Sequence, residues 1–358
     1  MKIIDIINRA TAEGRPRFTF ELLPPLKGDG PGGVFEAIDT LAPLDPAYIN
    51  VTFHREDVHY TMRADGVREK HMVRHRPGTV GISAAIARRY GIETVPHIIC
   101  AGLSRYDVED ALIDMDLLGM HNVLALRGDA ARGETGFEPH PDGHAHACEL
   151  VAQIAAMNRG EFIDRARARN GGGNAGGGGN AGGAHKTAFC VGVAGYPETH
   201  SECRSDTEYR PETHSECVAA GAEAIAGAAA AKDLANLKRK VDAGADYIVT
   251  QMCFDNARIL DFVARARRAG ITVPIVPGIK PLATKKHLEV LPKTFSVSLP
   301  PELVREVEKC ADNAAVRRVG VEWAAAQAEG LKKAGLPVIH FYSMGRTDNI
   351  ADIVRRVF

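Results

Sequence analysis

The stretch Tyr106–Asp129, YDVEDALIDMDLLGMHNVLALRGD, holds one complete repeat of the pattern on which the fold rests. Over Tyr106–Leu118, apolar residues recur at Val108, Ala111, Leu112, Met115 and Leu118, the spacing of one buried helix face. Gly119 then closes the helix, because glycine takes the left-handed conformation at little cost. Asn122–Leu126 (NVLAL) follows, apolar on both faces as a parallel strand covered by helices must be. Arg127 and Asp129 stand just past its end, where a strand of this kind presents side chains to a ligand.

The same unit repeats on either side. Phe18–Leu22, Tyr48–Thr52, Thr94–Ile99, Ala188–Ala194, Asp246–Gln251, Thr272–Val276 and Val338–Tyr342 read as further strands, eight with NVLAL. Asp233–Ala243, Asn256–Ala269 and Val316–Ala334 read as helices, and Gly244, Gly270 and Gly335 as their stops. Eight such units imply an α/β fold, a (β/α)₈ TIM barrel forming a single domain over residues 1–358. A doubly wound open sheet is the alternative, since strand order is not written in a sequence.

Two segments interrupt the pattern. Residues 170–184, NGGGNAGGGGNAGGA, have the composition of a flexible insert. The G-x-G-x-x-G match at Gly171–Gly176 has no strand before it and no helix after it, so it is not a dinucleotide fingerprint. The heptapeptide PETHSEC occurs at Pro197–Cys203 and again at Pro211–Cys217, followed by Ala-rich Val218–Ala231. Residues 203–231 are therefore expected to be an expanded loop.

With 44 Lys and Arg against 45 Asp and Glu, the formal net charge is −1, which argues against a nucleic-acid partner. No apolar run approaches the ~20 residues of a membrane span. Seven scattered cysteines and a start, MKIIDIINRATAEGRPRF, without a signal-peptide core point to a reduced, cytoplasmic protein.

The strand ends collect polar residues: Glu21, Thr52, His97, Arg127 with Asp129, Tyr196 with His200, Gln251, Lys280 and Tyr342. Glu21 sits among Phe20, Leu22, Leu23, Pro24 and Pro25. An acid in that frame is either a general acid with a raised pKa or the partner of a cation, and the sequence leaves both open. His200-x-x-Cys203 and His214-x-x-Cys217 have a zinc-like spacing, but one copied segment explains it and no metal is expected. His140, His144, His146 and Cys148 read as a solvated loop after the fourth strand.

The motifs Thr19–Pro25 (TFELLPP), Pro96-His97, Ala125–Asp129 (ALRGD) and Tyr196–Glu198 (YPE) together resemble the methylenetetrahydrofolate reductase family. Asn236–Asp246 (NLKRKVDAGAD), Ile248–Gln251 (IVTQ), Pro277–Ile279 (PGI) and His340–Tyr342 (HFY) extend the resemblance to the end of the chain. It implies a barrel that holds FAD, takes electrons from NADH or NADPH, and reduces 5,10-methylenetetrahydrofolate to 5-methyltetrahydrofolate by a ping-pong route. By resemblance, Glu21 is the acid that helps open the folate ring. Asp129 lies near the flavin and favours the cationic iminium. Thr52, His97, Arg127, Asp129, Tyr196, His200, Asp233, Asn236 and Lys240 contact the cofactor. Glu21, Gln251 and Tyr342 face the substrate. His200 is taken over its duplicate His214 because it directly follows the YPE motif.

The sequence departs from the family pattern at Phe53–Asp57 (FHRED), where relatives carry Tyr-Gly-Ala, and at Met252–Phe254, where aromatic residues are usual. A homo-oligomer is expected. So is the absence of a C-terminal regulatory domain and of inhibition by S-adenosylmethionine. A folate- and flavin-binding subunit fed by a partner protein is the alternative function.

Overall fold

The computed structural model describes residues 1–130, 136–164, 185–200, 203 and 217–358. Eight parallel strands close a barrel: β1 (Arg17–Leu22), β2 (Ile49–Val51), β5 (Thr94–Ile99), β6 (Asn122–Leu126), β7 (Cys190–Gly195), β8 (Tyr247–Met252), β9 (Ile275–Ile279) and β10 (Val338–Phe341). The two ends of the sheet meet where β1 pairs with β2 on one side and β10 on the other, which excludes the open doubly wound sheet. Each expected strand is present. The seventh lies three residues later than Thr272–Val276, because Pro274 only leads into it and the run continues through Gly278 to Ile279.

Four helices answer the expected periodicity, α4 (Arg105–Leu117), the later part of α6 (Cys217–Asp242), α7 (Asn256–Arg268) and α10 (Asn313–Lys333), and α2 (Gly32–Leu41), α3 (Thr79–Tyr90), α5 (Ala147–Arg159) and α11 (Asp348–Val357) add to them. Gly119 and Gly335 close α4 and α10 with φ of 72° and 84°. Two short helices before α10, α8 (His287–Phe295) and α9 (Pro301–Glu308), lie outside the simple repeat.

Three features correct the sequence reading. The FHRED departure opens an antiparallel hairpin, β3 (Asp57–Met62) with β4 (Arg68–Val73), in register from Asp57↔Val73 to Met62↔Arg68. The Ala-rich half of the expanded loop at 203–231 is helix from Cys217 onward, as expected of the strongest helix former, so α6 begins well before Asp233. An N-terminal helix, α1 (Ile3–Ala12), was not anticipated. The insert at 170–184 with its G-x-G-x-x-G match, and the second heptapeptide up to Cys217 with His214, lie outside the described residues.

Helix α1 forms the floor of the barrel. Ile3, Ile7 and Ala10 share one core cluster with Tyr48, Tyr247 and Val338 at the N-terminal ends of the strands. Asn122 pins it: its Oδ1 accepts from the Ile3 amide at 2.9 Å, while its Nδ2 donates to the Met1 carbonyl at 2.9 Å and to Glu93 at 3.2 Å. Asn122→Ala should cost about 2 kcal/mol, since a buried amide loses its acceptor. The urea unfolding midpoint measures this, and an unchanged midpoint would mean that apolar contact alone holds the floor.

Candidate functional site

The C-terminal strand ends open onto a cavity of about 490 Å³. Glu21, Thr52 and His97 line one side of it, Arg127, Asp129 and Tyr196 another, and His200, Gln251 and Tyr342 complete the wall. A second cavity of about 360 Å³ runs outward between β6, β7 and α6, lined by Asp233, Asn236 and Lys240. Arg127, Tyr196 and His200 border both, so the two compartments adjoin. Of the strand-end residues singled out from the sequence, all but Lys280 lie on one wall or the other.

Glu21 is 9% exposed and its carboxyl makes no hydrogen bond or ion pair among the described residues. Burial pushes it up to about 7, against the opposing pull of the Lys280 ammonium. It is therefore part protonated near neutrality, the state a general acid needs. Two strands along the barrel from Glu21, His97 is buried, and burial with His54 nearby holds it down at about 3, so it is a neutral imidazole. Its Nε2 is enclosed and has no hydrogen-bond partner among the described residues. Thr52 is fixed by its hydroxyl, which donates to the Leu22 carbonyl at 3.1 Å.

Arg127 lies over the Phe137 ring at 4.8 Å. The following Gly128 has φ of 86°, and a Cβ there would come within 2.8 Å of Ala101, so glycine is needed to turn the chain toward Asp129. Arg55, at the base of the hairpin, donates to the Asp129 carbonyl at 3.4 Å. Tyr196 and His200 meet edge to face at 4.6 Å, and the His200 amide donates to Asp233 at 3.4 Å. Lys240 donates to the Ala194 carbonyl, and burial lowers its ammonium to about 8. Tyr342 donates to the Thr250 carbonyl at 2.7 Å and stacks edgewise on His340 at 4.8 Å.

The outer compartment is cationic. Lys232 and Arg239 join Arg127 and Lys240 on its wall, with Asp233 the acid among them. Such a wall suits the phosphates of an extended ligand.

Sequence reasoning missed several contributors. Phe53 and His54, from the departing FHRED segment, line the mouth. So do Thr199, Ser296 and Met344, with φ of 71°, 54° and 46°. A β-branched residue at positive φ is strained, and such strain gathers at ligand sites. Asp57, His59 and His75 also converge at the hairpin, their ligand-type atoms within 4.8 Å of one another. Regular spacing in the sequence announces none of these.

Fold and site define a (β/α)₈-barrel protein whose mouth joins an acid-bearing chamber to a cationic groove. Residues 6–357 match the family model for methylenetetrahydrofolate reductase. The chain belongs to the methylenetetrahydrofolate reductase family. It is 30% identical over 349 residues to a probable methylenetetrahydrofolate reductase (NADH) of Oryza sativa subsp. japonica, covering 96% of this chain and 48% of that protein. The chain thus spans about half the length of the plant relatives it matches. It is 27% identical to the 5,10-methylenetetrahydrofolate reductase of Escherichia coli (strain K12), covering 96% of this chain and 92% of the other. Among solved structures, it resembles an uncharacterized protein from Clostridium thermocellum that binds two copies of 5-methyl-5,6,7,8-tetrahydrofolic acid, with a TM-score of 0.55, 13% identity and 98% of each chain covered. That likeness concerns the fold. No helix among the described residues is long and apolar enough to cross a membrane.

Proposed function

We propose that the protein reduces 5,10-methylenetetrahydrofolate to 5-methyltetrahydrofolate with electrons from NADH or NADPH, passed through FAD bound non-covalently in the adjoining cavities. The observation that carries this reading is Glu21, a buried carboxyl with a pKa of about 7 on the wall of the mouth.

The residues fit the cofactor. The cationic groove with Arg127, Lys232, Arg239 and Lys240 suits a diphosphate, and the unpaired His97 Nε2 offers a hydrogen bond inside the mouth. Thr52, His97, Arg127, Tyr196, His200, Asp233, Asn236 and Lys240 would hold it. When bound, FAD accepts electrons from the nicotinamide and delivers them to the folate.

The chain's own groups then act on the folate. The product carries its methyl on N5, so the bond that breaks is the one to N10. Glu21 donates its proton to N10, and ring opening leaves a cationic iminium at N5. Asp129, at the end of β6, supplies negative charge that favours this cation. Gln251 and Tyr342, which line the same cavity as Glu21, orient the folate.

Stopped-flow absorbance tests the reading by separating the two half-reactions. The purified protein should be yellow, release FAD on denaturation and bleach with NADH or NADPH. Asp129→Asn should keep its FAD and its bleaching rate while folate reduction slows by about 10-fold or more. Equal losses in both half-reactions would refute the role given to Asp129. Bound FAD that neither nicotinamide bleaches would point instead to a protein electron donor.

A further inference from the structure

We propose that Lys280 is a positioning residue for the acid chemistry at the mouth: its ammonium biases the Glu21 carboxyl toward the charged form. The inference rests on the reading of Glu21 as the acid.

The barrel register brings the two together. Phe20 pairs with Phe341, and Phe341 with Ile279. One residue further along these three adjacent strands come Glu21, Tyr342 and Lys280. Phe20, Leu22, Phe341 and Ile279 belong to the core beneath the helices, so by strand alternation Glu21, Tyr342 and Lys280 face the barrel interior. Ser343 ties the pair at the backbone level. Its hydroxyl donates to the Glu21 carbonyl at 2.7 Å, and its carbonyl accepts from Lys280 Nζ at 3.3 Å.

A lysine 4% exposed is unusual. Lys280 makes no ion pair among the described residues, and unlike Glu21 and Tyr342 it does not line the cavity. It therefore acts through Glu21 rather than on a ligand. The other groups facing this corner leave it as the charge that acts on Glu21. Tyr342 is spent on the Thr250 carbonyl, and burial keeps its phenol protonated. His340 and His97 are held at about 3, and His287 at about 4, mainly by burial, so all three are neutral at pH 7. Arg346 opposes the charge on Lys280 and His287. Thr19, Asn50 and Gln251 carry no charge.

The arrangement sets Glu21 between two failures. Burial alone would hold the proton too tightly for efficient donation, while a contact ion pair would strip it off before the folate arrives. A buried cation without a direct carboxylate contact gives the intermediate case, and it stabilises the carboxylate left behind once the proton has gone. Burial meanwhile lowers Lys280 itself to about 8, with Glu21 pulling the other way.

The test is an infrared titration of the Glu21 carboxyl in the intact protein, identified by subtraction of Glu21→Gln, alongside pH profiles of both half-reactions. In Lys280→Met the Glu21 midpoint should rise by about one unit or more, and in Lys280→Arg it should stay within about half a unit of wild type. The alkaline limb of folate reduction should move up with the midpoint in Lys280→Met, while bleaching by NADH or NADPH keeps its profile. If Lys280→Met does not fold, Lys280→Gln is held to the same criterion. A midpoint that does not move on loss of the charge overturns the proposal. A midpoint that moves while the folate profile stays put upholds the coupling and removes the acid role from Glu21 instead.

Discussion

Glu21→Gln is expected to slow folate reduction by about 100-fold or more, the usual scale of lost general-acid catalysis. Glutamine keeps the shape and the hydrogen-bonding capacity of the side chain but has no proton to give. Bleaching by NADH or NADPH requires no proton from this residue and should run at near wild-type rate. The wild-type folate half-reaction should also weaken as pH rises through about 7, where the carboxyl loses its proton. Stability gives an independent check. A carboxyl whose folded pKa lies above its unfolded value favours the fold below the unfolded pKa and loses that contribution as pH rises through the folded one. The Gln variant should therefore gain in Tm over wild type at pH 8 relative to pH 4. Loss of flavin from Glu21→Gln would make the carboxylate a cofactor-holding group, and two normal half-reactions would place the acid elsewhere.

Gly320→Ala is expected to be among the most damaging single-methyl changes in the molecule. Gly320 is buried in α10, and a Cβ there would lie 2.0 Å from the Leu282 carbonyl oxygen and 2.7 Å from its amide nitrogen. The obstacle is backbone, which cannot swing aside as a side chain can. Overpacking of this kind costs up to about 3 kcal/mol, of which alanine's better helix propensity returns about 1. The net loss of about 2 kcal/mol should lower Tm by several degrees, and calorimetry measures it. Since Leu282 stands two residues beyond Lys280, the displaced backbone should also disturb the corner of the mouth around Glu21. A variant as stable as wild type would show that helix and loop can part without cost.

The barrel itself was legible because its strands are buried on both faces and its helices on one, so apolar spacing marks them directly. Asn122–Leu126 and Arg105–Leu117 lie within a residue of where the pattern put them. The hairpin was not legible, because DVHYTM and REKHMV carry few apolar residues and their strands lie outside the barrel. The first turns of α6 were hidden by the neighbouring duplication, which made an alanine run look like filler. At the site, position at a strand end pointed to Glu21, Gln251 and Tyr342, and all three line one cavity. Position at a strand end could not mark Lys280 as buried, because lysine is ordinarily a surface residue. Thr199 at positive φ contradicts its own propensity, and only the folded backbone reveals it.

Helix α1 seals the strand ends opposite the mouth, with Ile3 and Ile7 fully buried there and Asn122 fastening the helix in place. The interior is thus a cul-de-sac. Among the described residues, whatever reaches Glu21 comes in over the strand ends and goes out the same way. A departing molecule that lingers blocks the next, so traffic through a single doorway, rather than chemistry at its far end, becomes a natural place for turnover to be throttled.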